Sequence, residues 1–145
     1  MRSFAAEFAR GLRAGDAVGL AGPLGAGKTT FVRAAVQALL GHDPTSSPTF
    51  TFRHRYTAPD AATCPEAPLI DHLDLFRIGD PAELVELGLE EVFDGSSIVL
   101  VEWWRNAPGF LPPRRYEIEI EGSGNGPRRV TVRPPSGTEP AERAV

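Results

Sequence analysis

Residues 17–30 read "AVGLAGPLGAGKTT", and this stretch decides the fold. Ala17–Ala21 is short and wholly apolar, the pattern of a strand buried on both faces. Glycines follow at 22, 25 and 27, and then "KTTFVRAAVQALL" sets Phe31, Ala35, Ala38 and Leu39 on one helical face before Gly41 stops it. Strand, glycine loop, helix is the context in which G-x-x-x-x-G-K-[ST] cradles phosphate, and Gly22, Gly27, Lys28 and Thr29 match that pattern. Glycine lets the backbone wrap tightly enough for successive N–H groups to face an anion, and the helix N-terminus adds donors and a positive dipole end. Lys28 is the only lysine; the other fourteen of the fifteen basic residues are arginine. A compact ammonium suits the β- and γ-phosphates of a nucleotide, where a planar guanidinium is a poor substitute. The Thr29 hydroxyl is placed to join a Mg2+ shell.

A metal-dependent phosphate site also needs an acid at the end of a second buried strand. "SSIVLVEWW" contains the most hydrophobic strand, Ile98–Val101, closed by Glu102. Asp74, at the end of "LIDHLD", is the competitor, with Asp71 behind it. Glu102 is assigned to Mg2+ or its water shell, and Asp74 to the outer shell or an attacking water. Ser47 and Thr49 flank Pro48 where a γ-phosphate sensor commonly sits, although spacing alone slightly favours an ordinary element boundary. His72 reads as packed or hydrogen-bonded between strands. The pair Trp103–Trp104 fits either the core or a stack beside the nucleotide.

Outward from this centre, Phe4, Phe8 and Leu12 recur at helical spacing, so Arg2–Leu12 reads as an amphipathic helix. Thr49–Tyr56 is expected as a strand with Phe50, Phe52 and His54 on one face, and Thr57–Pro68 as a proline-rich loop. Asp80 and Pro81 open a helix running to about Leu87, broken at Gly88, with one more turn in "LEEVF". "RRYEIEIEG" and "RRVTVRP" alternate around "GSGNG", a β-hairpin. The fold class is therefore α/β: a single phosphate-loop NTPase-like domain, with a mixed sheet flanked by helices and ending in a hairpin.

Bulk properties narrow the function. The chain has 145 residues, long enough for one ordinary domain, and a net charge of −4 argues against gripping nucleic acid unaided. Arg114, Arg115, Arg128, Arg129 and Arg133 make the last third locally basic, which reads as a solvated strand face. No apolar run approaches the roughly 18 residues of a membrane span. The lone Cys64 forms no internal disulfide and reads as an inert loop thiol, and the charged N-terminus has no secretory core; both point to the cytoplasm.

The blocks "GPLGAGKTTFVRA", "SPTFTF", "HLDLFRI", "ELGLEEVF" and "VEWW" resemble, in order and spacing, the bacterial TsaE family over roughly Ala5 to Val132. That resemblance implies a small α/β ATPase of low intrinsic activity, using ATP and Mg2+, in tRNA threonylcarbamoyladenosine biosynthesis. It implies protein partners, the TsaD–TsaB complex, whose reset between turnovers the hydrolysis drives; tRNA is met mainly through those partners. Residue by residue, it puts Gly22, Leu24, Gly25, Ala26, Gly27, Lys28, Thr29 and Thr30 on the nucleotide, with Thr29 on the metal. It raises Thr49 as a sensor of phosphate or partner, makes Asp74 the family's "H-x-D-L-[YF]-R" aspartate, and makes Glu102–Trp103 its glutamate–tryptophan pair. Residues 1–133 are then the ATPase domain and 134–145 a disordered tail. Two departures stand out. The segment that precedes the first helix in family members, on the adenine side, is not found before this helix, and Trp104 stands where a smaller residue is usual.

Two rival classes remain to be weighed. A guanine-reading switch needs [N/T]-K-x-D, and the chain has no second lysine. A small-molecule kinase needs a lid, for which "WWRNAPGFLPPRR" is the one lid-like stretch.

Overall fold

The computed structural model describes residues 1–44, 51–59, 66–122, 124, 126–135, 137 and 139–145. The opening apolar run is strand β1 (Ala17–Ala21), buried along its whole length. It is hydrogen-bonded on both edges by parallel strands, β4 (Ser97–Glu102) and β5 (Tyr116–Glu121). β3 (Leu69–Asp74) lies parallel beyond β4, and β2 (Arg53–Tyr56) covers it antiparallel. On the other side β6 (Arg129–Arg133) returns from β5 as a hairpin, and β7 (Ala141–Ala144) pairs with β6. The order β2-β3-β4-β1-β5-β6-β7 is the mixed sheet that alternating strand and helix patterns imply.

Each face of this sheet has its own core. On one, α1 (Arg2–Ala9) and α2 (Lys28–Leu40) lay Ala5, Ala9, Phe31, Val32 and Ala35 on Val18, Leu20, Ile70, Ile98 and Leu100. Phe8 meets Phe31 at 5.9 Å and the edge of Tyr116 at 5.4 Å. α1 stops at Ala9, short of the expected Leu12, yet Leu12 is still buried. On the opposite face α3 (Ala82–Glu86) and two 3-10 turns, Leu89–Phe93 and Trp104–Asn106, cover Leu73, Leu75, Val99 and Val101. α3 starts with a reciprocal cap: Asp80 Oδ1 accepts from the Ala82 amide, and Glu83 Oε1 from the Asp80 amide, both at 2.9 Å. Among the described residues, no helix is long and apolar enough to cross a membrane.

Two sequence expectations need correction. β2 begins only at Arg53, and Phe52 lies before it, packed into the α3-side core, whereas His54 stands opposite His72. Thr49 and Phe50 fall outside the described residues. The stretch read as a disordered tail instead contributes β7, with Val132 opposite Ala141 and Arg129 opposite Ala144. Its four side chains are all exposed; main-chain pairing with β6 and the Arg143–Glu7 ion pair at 3.1 Å hold it, and no hydrophobic alternation announces it.

Candidate phosphate site at the strand ends

From β1 the chain passes three positions along the sheet to β2 at its edge, steps back through β3 to β4 beside β1, and then forms β5 on β1's far edge. The crevice beyond the carboxyl end of β1 is therefore where connections diverge, the usual ligand position in an open α/β sheet. The glycine loop fills it. Gly22 has φ 143°, and a Cβ there would lie 2.2 Å from the Ile120 carbonyl oxygen, so close packing on β5 requires glycine. Gly25 and Gly27 also have positive φ, at 76° and 107°, and Gly27 caps α2. The loop thus presents its backbone without side-chain cover.

Lys28 is 4% exposed. Its Nζ donates to the carbonyls of Gly22 at 2.8 Å and Pro23 at 2.9 Å, and lies 3.7 Å from the centroid of the Trp103 ring. Burial lowers its pKa, while the negative charges of Glu102 and Asp74 act in the opposite direction. Next to it the Thr29 hydroxyl donates to Glu102 Oε2 at 3.0 Å, across 73 residues of sequence. The parallel registers bring this about: Leu20 is opposite Glu102, and Asp74 is opposite Glu102 on the other edge. Asp74 Oδ1 accepts from the Phe76 amide at 2.9 Å. Burial raises the Asp74 pKa, the Phe76 amide opposes that shift, and the neighbouring Glu102 charge adds to it.

A cavity of about 290 Å³ opens between these groups. Leu24, Gly25, Gly27, Lys28, Thr29 and Thr30 form one wall, and Asp74, Phe76, Glu102 and Trp103 the other. The fold gathers most of the sequence-derived candidates here. Gly22 is absent from the lining; it shapes the loop from below, and Ala26 is fully buried. Thr49, with Ser47 and Cys64, lies outside the described residues. Trp103 closes the site in a left-handed backbone conformation, φ 58°, the one positive φ at a non-glycine among the described residues. Such a conformation costs about 1–3 kcal/mol and persists where surroundings over-determine it. Here those are the Trp103 amide bonded to the Leu20 carbonyl at 3.1 Å, the Phe76 ring at 4.8 Å and the Lys28 ammonium.

The oxygen donors fit a hard divalent cation. One hydroxyl and one carboxylate stand 3.0 Å apart beside a loop of backbone amides, and Mg2+ characteristically takes one or two protein oxygens and completes its octahedron with phosphate and water.

His72 is hydrogen-bonded between strands, as its sequence reading expects: its Nε2 bonds Glu102 Oε1 at 2.9 Å, two residues before Asp74 on the same strand face. Sequence reasoning missed other neighbours. Phe76 lies two residues past the end of β3. Arg128 donates from Nε to the Ala26 carbonyl at 2.9 Å, and from its two terminal nitrogens to the Gly126 and Gly124 carbonyls. A span of 102 residues separates it from the glycine loop, and nothing local in the sequence marks it. Trp104 now has an account. It packs on the α3-side core over Gly19, where an added Cβ would come within 2.7 Å of the indole, so the larger residue is matched by a missing side chain on β1.

Similarity to known proteins agrees with this geometry. Residues 1–130 match a family model described as threonylcarbamoyl adenosine biosynthesis protein TsaE. The chain is similar to the tRNA threonylcarbamoyladenosine biosynthesis protein TsaE of Rickettsia typhi, 34% identical over 133 residues, covering 91% of this chain and 87% of that one. With the Bacillus subtilis protein of the same name, identity is 38% over 117 residues, covering 81% and 68%. A crystal structure of Bacillus subtilis YdiB superposes with a TM-score of 0.68 at 31% identity, over 90% of this chain and 76% of that chain.

Proposed function

The chain belongs to the TsaE family of tRNA threonylcarbamoyladenosine biosynthesis proteins, and from that premise we propose that it is the pathway's Mg2+-dependent ATPase. The observation that carries the proposal is the hydrogen bond from Thr29 to Glu102, which joins the start of α2 to the end of β4 beside a buried lysine. Amides of the glycine loop and the first turn of α2 bind the phosphates. Lys28 exchanges the Gly22 and Pro23 carbonyls for phosphate oxygens. Thr29 Oγ1 and Glu102 Oε2 would hold Mg2+, which when bound neutralises charge on the β- and γ-phosphate oxygens. Asp74 orients a water for attack and accepts its proton; its raised pKa makes it a better base than an exposed aspartate. Trp103 and Phe76 exclude bulk water from the same wall. Thr49 remains assigned as a sensor of phosphate or partner, on the family pattern.

Hydrolysis is slow in the isolated protein and is used on a cytoplasmic TsaD–TsaB complex, which in turn holds the tRNA. The stretch considered as a kinase lid is pinned down: Ala107 and Leu111 are buried, and Arg115 bonds the Pro112 carbonyl and Glu117. The deciding experiment is phosphate release from ATP with and without TsaD and TsaB. Stimulation by the pair is expected. No stimulation, or efficient phosphoryl transfer to an added small acceptor, would sink the proposal.

A further inference from the structure

Glu102 is held from two sides. Thr29 occupies Oε2, and His72 Nε2 sits 2.9 Å from Oε1. A carboxylate only accepts hydrogen bonds, so Nε2 carries the proton. On the far side of the imidazole, Nδ1 lies 3.3 Å from the Tyr56 hydroxyl. Burial pushes the Tyr56 pKa up to about 12, so its proton stays in place and can be donated. The result is one directed chain, Tyr56 to His72 to Glu102, whose members are 5%, 1% and 2% exposed. They come from three neighbouring strands, β2, β3 and β4, and step diagonally across one sheet face.

Ile70, Ile98 and Leu100 flank the chain on that face, with the His54 ring 4.5 Å from Tyr56 at its β2 end and Asp74 opposite Glu102 at the other. Apolar side chains of similar volume would fill this space without the desolvation that three polar groups require, so core packing alone does not call for the chain. What the chain does accomplish is geometric. With Oε1 occupied, Glu102 cannot turn about its terminal bond without breaking a buried hydrogen bond. Oε2 therefore stays aimed at Thr29.

We propose that His72, backed by Tyr56, is a positioning residue that fixes the Glu102 carboxylate so that one oxygen alone faces the divalent cation. The inference rests on the nucleotide-binding reading and deepens it by naming what orders the metal ligand. Partners that orient a metal ligand from behind are worth roughly 10–100-fold in metal affinity.

The test uses the full chain and three variants. His72→Leu fills the space without a donor, His72→Gln keeps an N–H that can reach Glu102, and Tyr56→Phe removes only the hydroxyl. Two quantities are read: the Mg2+ concentration giving half-maximal hydrolysis at saturating ATP, and binding of a fluorescent ADP in Mg2+ and in EDTA. His72→Leu should raise the Mg2+ requirement roughly tenfold or more. Its ADP affinity in EDTA should stay within about twofold of the parent, because the phosphate contacts of the loop do not involve His72. His72→Gln should recover most of the loss, and Tyr56→Phe should show a smaller shift in the same direction. The unmutated protein supplies an independent readout by 15N NMR of the imidazole. The Nε2-protonated tautomer is expected, with a resonance that moves when Mg2+ is added to the ADP complex.

An unchanged Mg2+ requirement in His72→Leu, or an Nδ1-protonated tautomer in the unmutated protein, overturns the positioning role while leaving nucleotide binding intact. If the unmutated chain binds no nucleotide at all, both the reading and the inference fall. A His72→Leu protein that does not fold leaves the tautomer and Tyr56→Phe to decide.

Discussion

Burial sets the chemistry of Lys28 before any ligand arrives. Its ammonium sits between two carbonyl oxygens and the Trp103 ring. Lys28→Ala should abolish nucleotide binding, and Lys28→Arg should not restore it, both read by titration with labelled ATP. Glu102→Ala should behave differently. Nucleotide still binds through the loop amides and Lys28, whereas Mg2+-dependent hydrolysis is lost; normal hydrolysis by this variant would move the metal assignment to Asp74. Gly19 makes a purely steric prediction. A methyl group there meets the Trp104 indole at 2.7 Å within a closed core, so Gly19→Ala should cost about 1–3 kcal/mol in urea unfolding. Shrinking the indole in the same chain, with Trp104→Leu, should recover part of that loss. Additive losses in the double variant would contradict the account.

Among the elements, the hairpin of β5 and β6 reaches furthest from its own neighbourhood. Its arginine, Arg128, was read from sequence as part of a solvated basic face. In the fold its guanidinium instead ties the turn carbonyls of Gly124 and Gly126 to the Ala26 carbonyl of the glycine loop. The backbone of the same residue exchanges two hydrogen bonds with Val145, at 2.9 and 2.8 Å, just past β7. The hairpin and the edge strand therefore brace the loop from behind. A hydrogen bond from a charged donor is worth about 1.5–3 kcal/mol, less where it is partly wet, as here. Arg128→Ala should weaken ATP binding about fivefold with little change in kcat, because the brace shapes the loop and touches no reacting group. A fall in kcat at unchanged affinity would argue against it.

At the scale of the molecule, the outer edge of the sheet depends on one buried carboxylate. Asp71 has no exposed side-chain surface; it accepts from Arg53 at 2.8 Å, from Arg55 through two bonds, and from Ser97 at 2.7 Å. These bonds join β2, β3 and β4 on the face opposite the Glu102 chain. Burial alone would raise the Asp71 pKa, but the hydrogen bonds from Arg55, Ser97 and Arg53 outweigh it, and the net shift is downward from 3.8. A folded-state pKa below the unfolded value means that this stabilisation is complete above 3.8 and is lost as pH falls through the folded value. Thermal midpoints should therefore drop below about pH 4. Asp71→Asn should start lower at neutral pH, where it leaves Arg53 and Arg55 without their carboxylate, and should show a shallower acid fall. Parallel pH curves for the two proteins would show that Asp71 does not carry this dependence.

Much of the protein was written in local pattern. "AVGLA" declared a buried strand, the glycines stood where positive φ was needed, and the lone lysine opened α2. The hairpin and the α3 cap were equally plain, because each is settled by residues within a few positions of one another. By itself, then, the sequence determined the fold class, the phosphate-loop pattern and the short set of strand-end acids. Tertiary structure decided which acid meets Thr29, since that depends on β4 lying next to β1 with Leu20 opposite Glu102. It also decided that His72 and Tyr56 stand behind Glu102, that Arg128 crosses to Ala26, and that an all-exposed tail segment becomes β7. The physical reason is the same in each case. Periodicity reports which face a residue occupies, while register and strand order arise from pairings between distant segments, which leave no mark on the residues nearby.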